Sequence, residues 1–302
     1  MSNALPYSAL ILVQLIFGFN YSASKIILEQ FPPVLWGAIR MAVSCVLMFA
    51  LAMVVVKKED RKMNPSFMKS TFVYSVFGIA LCQGFFLLGL KHTTSANAAI
   101  LNSMVPVFTL GFAILFGRES WTTQKGIGFL LAVLGVLVLR NVETISFSFE
   151  TLQGDIYTLL NCASLAIFFT ISRDFLQKHS ALWATAWMFF FGTILLSFVG
   201  ISELPELQPI QTSGTLWAAM IFNVLGATMV TYFLNSWTLK KVSSSSVSLF
   251  IYLQPVVAVA NDWFFYDSAP TFRMMIAIVF IFFGVCLGVY HKDHFKMKAV
   301  VQ

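Results

Sequence analysis

The chain has 302 residues, 58% of them hydrophobic and only 11% charged, with a mean hydropathy of +0.82 and a formal net charge of +6. A soluble domain carries about 25% charged residues, so a water-soluble fold is excluded. Crossing roughly 30 Å of hydrocarbon takes about 20 apolar residues, and the sequence supplies ten such runs, which predicts an all-α integral membrane protein.

The first span, 7–28, has no basic region ahead of it and stays apolar as far as Lys25, so it reads as a retained helix rather than a signal peptide. Helical spacing puts Gln14, Gly18, Tyr21 and Lys25 on one stripe and Asn20 on another side. The second span, 33–56, carries Arg40 at an outer depth similar to that of Lys25. These two cations either attract an anionic substrate group, acting as a charge gate, or snorkel to the headgroups. The third span, 67–90, holds Gln83, and the fourth, 94–116, holds Asn97, Asn102 and Pro106. After the fifth span, 121–140, the sixth, 154–173, contributes Asn161, and the seventh runs over 181–201.

The eighth span, 215–238, begins its polar set at Asn223 and aligns Thr228, Thr231 and Asn235, with Tyr232 beside them. In the ninth, 243–265, Ser248, Tyr252, Pro255, Val259 and Asp262 recur at helical spacing on one stripe, with Gln254 nearby. Tyr252 is the leading path candidate there. The tenth, 271–290, contains Gly284 and Gly288 as a GxxxG, suited to close packing within the chain or to dimerisation. Polar side chains in hydrocarbon are costly unless they face the bundle interior or water. Each amide and hydroxyl named here therefore either lines a substrate path or fastens helices together. Pro106 and Pro255 each remove a helical hydrogen bond, giving a hinge, a free carbonyl or a static kink. Asp262 is the carboxylate placed deepest in a span, near its outer end, either a proton site or an interfacial residue. Trp36, Trp121, Trp183, Trp217 and Trp263 fall near span ends, as an interfacial belt would.

Little remains outside the bilayer: the longest stretches between spans are 141–153 and 202–214. Lys and Arg gather in alternate loops, and only Lys25, Arg40, Lys91, Arg140 and Arg273 fall in the other half. This positive-inside pattern predicts two cytoplasmic termini in a plasma or bacterial inner membrane, and it accounts for the net charge without nucleic acid. The lipid bilayer and a small molecule are the expected partners, with the oligomeric state open and a monomer allowed. Cys45, Cys82, Cys162 and Cys286 fall inside spans in no CxxC spacing, and His92, His179, His291 and His294 lie at span ends. No metal or cofactor site and no enzyme constellation emerges, and no GxxxxGK[ST] motif would support ATP-driven pumping.

An offset of 148 to 149 residues aligns LKHTTS, Leu90 to Ser95, with LKKVSS, Leu239 to Ser244, each followed eleven residues later by a proline and a valine. Lys25 answers Arg173, and the break at 31–35 answers that at 179–183. The halves, 1–145 and 146–302, thus read as duplicated five-helix units, and an odd helix number inverts the second relative to the first. Such inverted repeats open to either side by similar motions, which points to transport.

FGFNYSASK at the end of the first span, PPVLWGAIRM opening the second, and the small-residue run, proline-valine pair and polar helix end of the fourth and ninth spans resemble the EamA family of the drug/metabolite transporter superfamily. Phe17 replaces the usual tryptophan, and the acids at the ends of the fourth and ninth spans are Glu119 and Asp267. The resemblance covers nearly the whole chain. It implies ten helices, a cavity lined mainly by helices one, three, four, six, eight and nine, and export of amino acids or related metabolites. A cationic-drug exporter is the alternative cargo class, and a membrane-embedded scaffold or enzyme the alternative of another kind.

Overall fold

The computed structural model describes residues 4–61, 63–93, 98, 101–139, 149–207, 209–254, 256, 257, 260 and 271–289. Six helices among them are long and apolar enough to cross a membrane: α1 (Ala4–Leu28), α2 (Pro33–Val55), α3 (Pro65–His92), α6 (Phe149–Lys178), α7 (Ala181–Gly200) and α8 (Gly214–Leu239). Four shorter apolar helices complete the described bundle: α4 (Met104–Leu115), α5 (Thr123–Leu139), α9 (Ser244–Leu253) and α10 (Phe272–Val289). Asn97, Pro255 and Asp262 lie outside the described residues.

Helix starts follow local chemistry. Pro33 and Pro65 occupy first-turn positions whose N–H would have no intrahelical partner. Asn64, Ser180, Ser213 and Ser243 each accept a hydrogen bond from a first-turn amide, at Phe67, Trp183, Leu216 and Ser246. Large apolar side chains such as Val54, Leu115, Phe198 and Phe283 stand exposed around the bundle, as a lipid-facing surface requires. The chain is a multi-pass membrane protein.

Helix pairing follows the repeat. Exchanging the halves maps α1 onto α6, α2 onto α7, α3 onto α8, α4 onto α9 and α5 onto α10. The observed contact of α1 with α8 then becomes that of α6 with α3, while the pairs α2 with α7 and α5 with α10 map onto themselves. Both self-paired sets run antiparallel. Gly200 at the end of α7 packs on Leu35 at the start of α2, and Gly128 of α5 faces Gly284 and Gly288 while Gly135 faces Ala277 and Ile281. The GxxxG of α10 is therefore spent inside the chain.

α3 and α8 share a further feature. Each widens into a π-helical stretch, Val76–Leu81 and Phe222–Val230, and the offset of 148 residues carries Gly78 onto Gly226 inside these stretches. A wide turn frees backbone carbonyls from the usual ladder, and such bulges concentrate at functional sites. Gly78 also lets the ring of Phe168 approach, since a Cβ there would lie 2.7 Å from it.

Candidate functional site

Between the halves lies a cavity of about 90 Å³. Its walls come from α1, α3, α6, α8 and α9, from Val105 of α4 with Asn102 just ahead of it, and from Arg40 of α2. The polar atoms in it form two networks.

The first begins at Arg40, a guanidinium only 1% exposed. Its Nη1 donates to Asn223 Oδ1 at 2.9 Å, and its Nη2 donates to Gln83 Oε1. Asn223 Oδ1 also accepts from Trp36 Nε1 at 3.1 Å, and Asn223 Nδ2 donates to Asn20 Oδ1 at 2.6 Å. Gln83 Nε2 donates to the Tyr232 hydroxyl, which donates in turn to the Gly78 carbonyl in the α3 wide turn at 3.0 Å. Gln83 and Tyr232 stand 149 residues apart, the offset that also relates Leu90 to Leu239 and Pro106 to Pro255, so two equivalent positions meet between the halves.

The second network links α1, α9 and the entry to α4. Gln254 Nε2 donates to Gln14 Oε1 at 2.8 Å, and Asn102 Nδ2 donates to the Tyr21 hydroxyl at 2.5 Å. On the facing wall, Asn161 Nδ2 donates to the Cys82 carbonyl at 2.7 Å, tying α6 to α3. Each of these amides fastens two helices and lines the cavity at once. Asn235 also lines the cavity, and its Oδ1 is buried without a hydrogen-bond partner.

Several sequence expectations are corrected. Tyr252 is fully buried, packs edge-on against Phe129 of α5 and does not line the cavity. The reason is local: Val247, Ile251 and Gln254, spaced four and three, form the stripe that faces the cavity, and Tyr252 belongs to a different stripe of the same helix. The hydroxyls of Ser248, Thr228 and Thr231 bond to backbone carbonyls of their own helices, at Ser245, Asn223 and Ala227, and these residues are also off the cavity. Pro106 lies in the first turn of α4; Leu101 and Asn102 ahead of it are helical and Ser103 keeps right-handed helical angles, so the break at Ser103 falls where proline removes the bond to Asn102. Arg40 does not snorkel. Trp36 and Trp183, in the first turns of α2 and α7, are buried in the bundle. Lys25 lies apart, in a hollow at one end of the bundle with Glu29, Lys91 and Glu206.

Two carboxylates clasp the halves together at opposite ends. Glu119, from the first half, accepts from the Ser245 backbone N–H at 3.1 Å and from the Ser245 hydroxyl at the start of α9, and pairs with Lys125 Nζ at 3.0 Å. Both side chains of that ion pair are 4% exposed. Glu203, from the second half, accepts from the N–H groups of Val34 at 2.8 Å and Leu35 at 2.9 Å at the start of α2. A carboxylate at a helix N-terminus satisfies free amides and complements the helix dipole. The sequence marks Glu119 as a polar helix end, but its partner 126 residues away is a tertiary fact.

The chain matches the pattern of the EamA-like transporter family twice, over residues 5–141 and 152–290. The chain belongs to the EamA-like transporter family. The two matches of this EamA chain fall one in each half of the duplication read from the sequence. Among its relatives, the Bacillus subtilis (strain 168) protein named "Uncharacterized transporter YoaV" is 22% identical over 93% of this chain and 95% of its own length. An Archaeoglobus fulgidus protein, also named an uncharacterized transporter, is 25% identical over 94% and 97%. The Arabidopsis thaliana "WAT1-related protein At1g01070" is 34% identical, over 34% of this chain and 28% of its own. A solved crystal structure superposes on 94% of each chain with a TM-score of 0.75 at 17% identity, a likeness of fold.

Proposed function

We propose that this EamA protein carries amino acids or related small polar metabolites across the plasma membrane by alternating access, without ATP hydrolysis. It does so as ten spans in two inverted five-helix halves, 1–145 and 146–302, with both termini cytoplasmic. The observation that carries this reading is a cavity seated where the antiparallel halves meet, its wall mostly apolar but set with Arg40 and a cluster of amides, and crossed by the Gln83 and Tyr232 pair. A site near such an axis can be opened to either side in turn as one half rocks against the other. The matched wide turns in α3 and α8 support it: the first ends against Cys82 and the second supplies Ala227 to the cavity wall.

The test is counterflow in proteoliposomes, with purified protein and labelled amino acids, small metabolites and organic cations. Saturable uptake of a metabolite, weakened by Gln83→Ala, is expected. Uptake of cations alone would replace the metabolite assignment with cationic-compound export. No protein-dependent flux of any solute in vesicles holding folded protein would overturn transport.

A further inference from the structure

We infer that the transported molecule must carry a carboxylate, and that Arg40 is the residue that recognises it; this rests on the transport reading. Arg40 is 1% exposed, lines the cavity, and among the described residues donates only to the amide oxygens of Asn223 and Gln83. Its Nε–H is buried with no acceptor among the described residues. Taking a guanidinium out of water is costly, and amide dipoles repay less of that cost than an opposite charge does. No Asp or Glu lines the cavity among the described residues, so the counter-charge has to arrive with the cargo.

A structural role alone does not explain an arginine here. The position equivalent at an offset of 148 or 149 is Met188 or Phe189, both fully buried in α7, so the scaffold holds its second half together at that place without a charge. Arg40 is the one cation on the cavity wall among the described residues. A single carboxylate neutralises it and matches its planar fork. A dianionic phosphate would leave a net negative charge buried. A free amine would add a second positive charge to an already cationic cavity. The carboxylate is thus the required group, and an α-amino group is dispensable.

The counterflow screen identifies a cargo, and competition then ranks three relatives of it: the 2-amino acid, the 2-hydroxy acid of the same skeleton, and the amine left when the carboxyl is removed. The two acids should compete within about threefold of each other, with the amine at least tenfold weaker. A charge-assisted hydrogen bond is worth about 1.5–3 kcal/mol, which converts to roughly a 10- to 100-fold rise in KM for Arg40→Gln. Arg40→Lys, which keeps the charge and loses the fork, should fall between wild type and Arg40→Gln. Competition by the amine equal to that of the acids, or an unchanged KM in an Arg40→Gln protein that elutes as a single folded species, would overturn the carboxylate subsite and leave transport standing. Absence of flux for every solute would remove the transport reading and this inference with it.

Discussion

Gly284→Ala tests the helix seam that the internal two-fold passes through. A Cβ built at Gly284 would lie 2.6 Å from the backbone nitrogen of Ala132 and from the backbone oxygen of Gly128. Ordinary contact needs about 3.5 Å, so α5 and α10 would have to part by roughly 0.9 Å. Both obstacles are main-chain atoms of a helix, so no rotamer change relieves them. A gap of that size forfeits roughly a quarter to a half of each dispersion contact along the seam, and overpacking of this kind costs about 1–3 kcal/mol. The control is Gly111→Ala in α4, where a Cβ would meet nothing within 4 Å. Apparent thermal unfolding of the detergent-purified protein should fall by several degrees for Gly284→Ala and hold or rise slightly for Gly111→Ala. Equal transitions for the two variants would show that the seam is looser than its geometry states. A loss of dimer with no loss of protomer stability would mean that the glycines face another chain.

Glu119→Gln should lower stability by about 3 kcal/mol, since removing one partner of a buried ion pair is strongly destabilising. Glu203→Gln, which weakens only the hydrogen bonds to Val34 and Leu35, should cost about 1 kcal/mol, and the order of the two in denaturant unfolding checks the difference in burial. Tyr252→Phe removes a buried hydroxyl with no hydrogen-bond partner, so it should leave stability unchanged or raised and flux intact. A flux loss in that variant would return Tyr252 to the substrate path. Gly78→Ala should push the Phe168 ring away from the wide turn and lower flux more than it lowers the unfolding temperature. The reverse order would make the glycine a packing residue only.

The extent of the bundle was legible because hydrocarbon demands long apolar runs, and the duplication was legible because proline and lysine recur at one offset. Gln83, Asn102, Asn161 and Gln254 were legible for a similar reason: an amide inside a span must find a partner, and the partners surround the cavity. Tyr252 is not legible from spacing, because periodicity groups residues into stripes without saying which stripe faces the cavity; the one that does is Val247, Ile251 and Gln254. Thr228 and Thr231 were misplaced because a hydroxyl can satisfy itself on the preceding turn. Arg40 was the hardest to place. Its depth from the end of α2 fits a snorkelling side chain, and only the positions of Asn223 and Gln83, 183 and 43 residues away, show that it turns inward.

That inward turn gives the molecule a direction. Arg40 stands seven residues after Pro33 and fifteen before Val55, or about 10 Å and 23 Å of helical rise from the two ends of α2. A solute held there has a short way out through one mouth and a long way through the other. A carrier without an energy source cannot turn that into net pumping, because detailed balance requires the ratio of maximal rate to half-saturation concentration to be the same from both faces. The two terms of the ratio are free to differ. Loading from the near face and loading from the far face should saturate at different concentrations, with the faster direction being the one that binds more weakly.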